Sequence, residues 1–519
     1  MKKNRKFLQW LNESGQWVVA LLAFLEFAMF AGVSLVQTCR IDIHFSKDNF
    51  EHVSFLSDNI LINLTVLAIL LALAVVLMRA AVQRKTVVWV STASIAVTAA
   101  IGVWWVISSK SLPSADSRYI VSAAQELIRG NNNVLLSTFY FKTYPFQTGY
   151  LLFAEGFLRL FGINQLTLFQ LLNVLFVVLT QIAILRIARE LFCDPRVELL
   201  TAILLGLCLQ PILLSVFLYG TIPGMALSVW SLYFIVHTIR KKRASSLIPA
   251  AVLIAIAILL KKNYWIVLIA ESVMLLLFAL REKKWIVTVF FTAAISLSFL
   301  LPAATQRFYE VRAGEPFGKG TPQMAWLVTG FRDSSLCAGW YNGYTNYILS
   351  QNNYDYDVTL AQCKTDFAER ADIFLSRPIY FGSFFYHKIL SQWNEPEFQT
   401  IWVNAIYERS GEATDLVKSI CDGEAGLALE VYFNQLMQLI YAAMAFAFFV
   451  LFRKKEERDE ARMIIPMILL GAAIYHALFE AKSLYAVIYV PMMLPYAAYG
   501  IKQISELVSR KKKIQSPEE

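Results

Sequence analysis

Charge is what this sequence has least of. Only 16% of its 519 residues are Asp, Glu, Lys or Arg, where a soluble domain carries about a quarter. Hydrophobic residues fill 57% of positions, and mean hydropathy is +0.52. An ordinary soluble globule is thereby excluded, and lipid solvates most of the chain. Cysteine and histidine are also scarce, at six and five. No two cysteines form a CxxC pair, and no Cys/His group has metal-ligand spacing. His44, His52, His237, His387 and His476 are scattered. GxGxxG and P-loop patterns are missing, so no nucleotide site of those kinds is expected. No cleavable leader is evident, because the first apolar run is long enough to span and lacks a small-residue cleavage site. No internal repeat is obvious, which weighs against a repeat-built transporter. The net charge of +9 would suggest nucleic acid in a soluble protein. Here the basic residues cluster between apolar runs, as topology signals do, and no nucleic-acid partner is expected.

What is present is a series of apolar runs near the length that crosses a bilayer, about 20 residues. They predict an all-α polytopic membrane protein of twelve helices: 17–36, 60–77, 87–107, 167–187, 199–217, 224–239, 247–260, 264–280, 285–301, 435–451, 463–479 and 484–501. The last is expected to kink at Pro491 or Pro495. Basic groups follow alternate runs: Arg79, Arg84 and Lys85; Arg186, Arg189 and Arg196; Arg240, Lys241, Lys242 and Arg243; Arg281, Lys283 and Lys284; Arg453, Lys454, Lys455 and Arg458. The positive-inside rule puts these, and both termini, on the cytoplasmic side. Lys261 and Lys262 are the exception. One long helix through them would bury two lysines in lipid at roughly 2.5–3.5 kcal/mol each. Two short helices with an outer turn avoid that cost.

Between the third and fourth spans lies a polar, aromatic stretch, with 147–161 read as an amphipathic helix at the interface carrying Glu155 and Arg159. After the ninth span, 302–434 is too long for a structureless loop and is expected to fold. Within it, Phe381, Phe384, Phe385 and Ile389 share one helical face that would lie on the membrane. Four segments result: an N-terminal hairpin, 1–86; a core, 87–304, with a first outer loop at 108–164; an outer domain, 305–433; and the last helices with a basic tail, 434–519.

Asp116 follows Pro113 and precedes Arg118 and Tyr119. Just outside a span, a carboxylate can take a proton from a hydroxyl nucleophile. Its plainer role is as the N-cap of a helix over 117–129. The context is DSRYIVSAAQELIRG followed by YFKTYPFQTGY. These stretches resemble the GT-C glycosyltransferases, specifically the bacterial protein-mannosyltransferase-like branch that uses polyprenyl-phosphate sugars. The resemblance covers roughly 104–303, with the first two spans as an added hairpin. It implies that Asp116 is the essential acid of the first outer loop. The family's second acid has only Glu126 to match it. A basic residue near the lipid phosphate is implied at Lys261 or Lys262, whose plainer role is snorkelling to headgroups. Glu480, Lys482 and Tyr485 resemble a recurring E-x-K-x-x-Y signature, although a local Glu480–Lys482 ion pair explains them as simply.

Tyr140, Phe141, Tyr144 and Phe146 are either an interfacial belt or a sugar platform. Trp340, Tyr341, Asn342 and Tyr344 are either a loop core or sugar contacts. The expected substrate contacts are Arg118, Tyr119, Glu126, Tyr144, Glu480, Tyr485, Trp340 and Asn342. Glu26 and Glu271 fall inside spans, where charge is costly and is usually paired or functional. Cys39, Cys337, Cys363 and Cys421 share the outer side, so one or two disulfides are permitted and their pairing stays open.

The resulting expectation is an inverting enzyme of the cell membrane, bacterial by resemblance. It would move a hexose or pentose from polyprenyl phosphate to an outer glycan, lipid or protein. Asp116 serves as base, and Lys261, Lys262 and Lys482 face the donor phosphate. No cofactor is called for, and a divalent metal is neither required nor ruled out. The rivals are a polysaccharide polymerase or ligase, and a transporter or flippase working through Glu26 and Glu271.

Overall fold

The computed structural model describes residues 2–42, 51–282, 285–405 and 408–515; His44, Lys283 and Lys284 lie outside them. The first helix, α1 (Lys2–Ser34), leads to a two-stranded antiparallel hairpin, β1 (Gln37–Ile41) and β2 (Val53–Ser57). Next come α2 (Ile60–Arg79) and α3 (Arg84–Ser109), then α4 (Ala115–Ile128) and α5 (Thr148–Phe161). A long run follows: α6 (Leu166–Phe192), α7 (Pro195–Leu207), α8 (Thr221–Lys241), α9 (Leu247–Leu260), α10 (Trp265–Glu282) and α11 (Trp285–Ala313). Helices α12 (Tyr356–Ser376) and α13 (Pro378–Trp393) belong to the outer segment. The chain finishes with α14 (Glu424–Arg453), α15 (Glu460–Leu478) and α16 (Val490–Gln515).

Eleven helices among the described residues are long and apolar enough to cross a membrane. They correspond to eleven of the twelve expected spans. The remaining one, α9, has 14 residues, or about 21 Å at 1.5 Å per residue. The chain is an all-α polytopic membrane protein apart from the short β-hairpin, which the sequence did not announce.

The turn at Lys261 to Asn263 is real. Lys261 is extended (φ −158°, ψ 123°), so the helix breaks there. Lys242, just past α8, meets Glu282 at the end of α10 at 2.9 Å. At the other end, Tyr264 bonds the Thr221 carbonyl. So α9 and α10 run in opposite directions along α8. The basic helix ends gather on one face: Arg240 with Asp459 (3.0 Å), Arg281 with Glu460 (2.7 Å), and Arg84 and Arg189 with Glu198.

Four expectations are corrected. The ninth span does not stop at Leu301 but runs through Pro302 to Ala313. Proline disfavours a helix interior, yet here the extension is anchored: Tyr309 donates to Glu155 Oε2 at 2.7 Å, and Arg312 meets the same carboxylate at 2.8 Å. The tenth span begins at Glu424, eleven residues before position 435. The C-terminal half of α13 packs into protein instead of lying on lipid: Trp393 stacks on Phe30, and Tyr441 bonds the Trp393 carbonyl. All six cysteines are free thiols, so the permitted disulfides are not made.

Candidate active site

The site lies at the end of the bundle away from the basic helix ends, and α4 starts it. Ser114 is extended, Ala115 takes a positive φ of 44°, and the helix then begins. A non-glycine residue in that region is strained, and such strain gathers at functional positions. Its effect is to swing Asp116 into the first turn of α4, beside the helix's positive end. Asp116 is therefore not the N-cap; Ser114 holds that position.

Asp116 is open to solvent on one side and enclosed on the others. Its Oδ2 accepts from the Tyr219 hydroxyl at 3.5 Å. Gln147 donates to that same hydroxyl. Lys261 Nζ lies 5.1 Å from the Tyr219 ring and 5.4 Å from the Tyr485 ring, and donates to Thr221 Oγ1 at 2.7 Å. Tyr485 donates to Glu480 Oε1 at 3.0 Å. Lys482 donates to Glu51 Oε1 at 2.7 Å and lies 5.9 Å from the Tyr341 ring. At the lip, Lys262 sits 4.3 Å over the Phe146 ring. Tyr144 bonds Asn346 of the outer segment, and Trp326 packs on both Tyr144 and Phe146.

These groups stand close enough to shift one another's charge. Burial pushes the Asp116 carboxyl above its usual range, while Lys482, Tyr140, Lys261 and Tyr219 pull it back. Burial pushes the Lys261 ammonium down to about 7, and Asp116 opposes that shift. Burial raises Glu480, against Lys482 and Tyr485. A partly enclosed carboxylate, two ammonium groups and a ring of tyrosines can accept a proton at one point and hold an anion beside it.

Of the residues singled out from the sequence, Asp116, Lys261, Lys482, Glu480, Tyr485 and Tyr144 share this recess, and Lys262 flanks it. Others do not. Glu126 sits ten residues along α4, about 15 Å away, in an exposed pair with Arg129 (2.6 Å) and Asn131 (2.9 Å). The second carboxylate near Asp116 is Glu480. Arg118 points outward to Glu408 at 3.7 Å. Tyr119 stacks on Tyr140 with its outer side exposed. Trp340 is 0% exposed and donates its indole N–H to Ser391 at 2.7 Å, so it fills the core; its neighbour Tyr341 faces the recess. Asn342 accepts from the Tyr344 amide at 3.1 Å and serves the turn.

Sequence reasoning missed Tyr219 and Glu51. Tyr219 stands in a recognisable outer turn, 219–223, which was the only signal. Glu51 carries none. Away from the site, Glu271 accepts from Ser231 at 3.0 Å, and both Glu26 oxygens lack hydrogen-bond partners among the described residues.

These features define a polytopic membrane protein with a carboxylate–lysine recess at one face. Residues 148–305 match the family described as dolichyl-phosphate-mannose-protein mannosyltransferase. The resemblance drawn from the sequence is met over that stretch, which holds Tyr219, Lys261 and Lys262 but neither Asp116 nor Lys482. Four solved chains also match. One is the archaeal oligosaccharyltransferase AglB from Archaeoglobus fulgidus, in complex with an inhibitory peptide and a dolichol-phosphate. It is 13% identical, with a TM-score of 0.38, over 83% of this chain and 52% of that one. The chain thus spans about half the length of that structure. No curated protein matches.

Proposed function

We propose that this protein is an integral membrane glycosyltransferase. It moves one monosaccharide from a polyprenyl-phosphate donor to a hydroxyl-bearing acceptor on the face opposite the basic helix ends. By the positive-inside rule that face is extracytoplasmic, and both termini are cytoplasmic. The observation that carries the proposal is the convergence of Asp116, Lys261 and Lys482 in one recess.

In the reaction, Asp116 takes the proton of the acceptor hydroxyl. The acceptor oxygen bonds to the anomeric carbon as the bond from that carbon to the phosphate oxygen breaks. Polyprenyl phosphate leaves with the electron pair, and configuration inverts. Lys261 and Lys482 meet the charge developing on the phosphate, with Lys262 at the entrance. Preorganised charge at the leaving group is the larger contribution; base assistance adds roughly 10²–10⁴-fold. Glu480 and Tyr485 orient Lys261 and the sugar, and Tyr144 and Tyr341 wall the acceptor side.

The donor class is tested with purified protein in liposomes. Supplied with a polyprenyl-monophosphate sugar, it is expected to release one polyprenyl phosphate per sugar transferred. Consumption of a polyprenyl-diphosphate oligosaccharide alone would instead support a polymerase or ligase.

A further inference from the structure

Lys482 sits on the short turn between α15 and the last span, and the turn itself is fixed. The Ala481 amide donates to the Gly339 carbonyl at 2.8 Å, and Ala481 pairs with Trp340 as a single parallel bridge. A lysine stem on a rigid turn still has free rotors. A fixed position for its ammonium needs a partner on another rigid element. That partner is Glu51, at 2.7 Å, with only 7% of its surface exposed.

Glu51 stands just before β2, in the hairpin between the first two membrane helices. The hairpin is bound to the outer face at several points. Cys39 donates its amide to the Asn394 carbonyl at 3.0 Å, and Val53 donates to the Leu336 carbonyl at 3.3 Å. Arg40 meets Glu430 at 2.7 Å, and Asn434 donates to Thr38 Oγ1 at 2.7 Å. So the carboxylate is held from behind by a sheet that is itself clamped. It faces a recess in which Lys482 also feels Asp116, Glu480, Lys261 and the Tyr341 ring.

We propose that Glu51 is a positioning residue: it holds the Lys482 ammonium where the donor phosphate arrives, making the N-terminal hairpin part of the catalytic unit. The inference rests on the transferase function proposed above. Glu51 touches no substrate. It keeps a flexible cation in place and keeps a balancing negative charge beside it, so the phosphate finds Lys482 already oriented.

The test uses full-length protein in liposomes with a polyprenyl-monophosphate sugar, varying donor and acceptor separately. Glu51→Gln is expected to lower kcat/KM for the donor about tenfold while the acceptor KM moves less than about twofold. Glu51→Asp is expected to recover most of the loss. In a Lys482→Ala background, Glu51→Gln is expected to add almost nothing, because both changes remove one interaction. Unchanged donor kinetics in Glu51→Gln, equal losses for donor and acceptor, or multiplying effects in the double variant would overturn the role. No transfer by the wild-type protein would instead sink the transferase itself, and this role with it. An unfolded Glu51→Gln would be recognised by its loss of monodisperse elution; the cycle is then run with Glu51→Asp, whose smaller donor-selective loss is expected to vanish in the Lys482→Ala background and whose persistence there would overturn the role.

Discussion

Lys261 holds its charge near neutrality only narrowly. Burial lowers its pKa to about 7, so the ammonium is lost as pH rises through that value. The donor KM is therefore expected to climb above pH 7. Lys261→Arg, whose guanidinium stays charged, is expected to flatten that climb when KM is followed from neutral into mildly alkaline buffer. At the acid side the sign reverses: Asp116 must be ionised to act as a base, and burial has raised its pKa, so kcat falls as pH drops and Asp116 takes up its proton. Trp340 belongs to stability. Truncating this fully buried indole to alanine is expected to cost about 3–5 kcal/mol, read as a lower midpoint in thermal unfolding. At this scale the sequence revealed what helix parity can show. Asp116, Lys261 and Lys482 each follow a span of the same direction, so they were assigned to one face. Parity says nothing about depth. It could not separate buried Trp340 from recess-facing Tyr341, or distal Glu126 from Glu480, and it could not reveal Glu51, whose role exists only through a contact 431 residues away in the chain.

Helix α9 decides where Lys261 sits, and two glycines decide where α9 sits. A Cβ on Gly220 would lie 2.1 Å from the Leu260 carbonyl oxygen, and one on Gly149 would lie 2.0 Å from that of Leu259. Backbone cannot yield as a side-chain tip can. Gly220→Ala is therefore expected to push the end of α9 outward and lower donor kcat/KM more than acceptor KM, measured by the same two-substrate kinetics. Helices α5 and α11 are joined through Glu155, which Arg159, Tyr309 and Arg312 all meet. Glu155→Ala leaves the Tyr309 hydroxyl without its acceptor, at a cost of about 1–3 kcal/mol. Spans were legible because twenty apolar residues have few alternatives, and the turn after Leu260 was legible because two lysines in lipid are costly. The helix through Pro302 was not, because its compensation comes from Glu155, some 150 residues earlier. The β-hairpin gave no alternating pattern to read.

Across the whole molecule, the account needs two chemically distinct faces. The basic ends, with exposed Cys193 beside the Glu198 cluster, lie at one; the recess lies at the other. In sealed vesicles of one orientation, a membrane-impermeant maleimide is expected to label Cys193 from one side only and Lys262→Cys from the opposite side. Labelling of both from the same side would break the topology. The most direct measurement of the central claim is sugar transfer from polyprenyl phosphate by wild type and by Asp116→Asn, with both shown to be folded. The account predicts a loss of about 10²–10⁴-fold in kcat for the variant. An undiminished rate would contradict it.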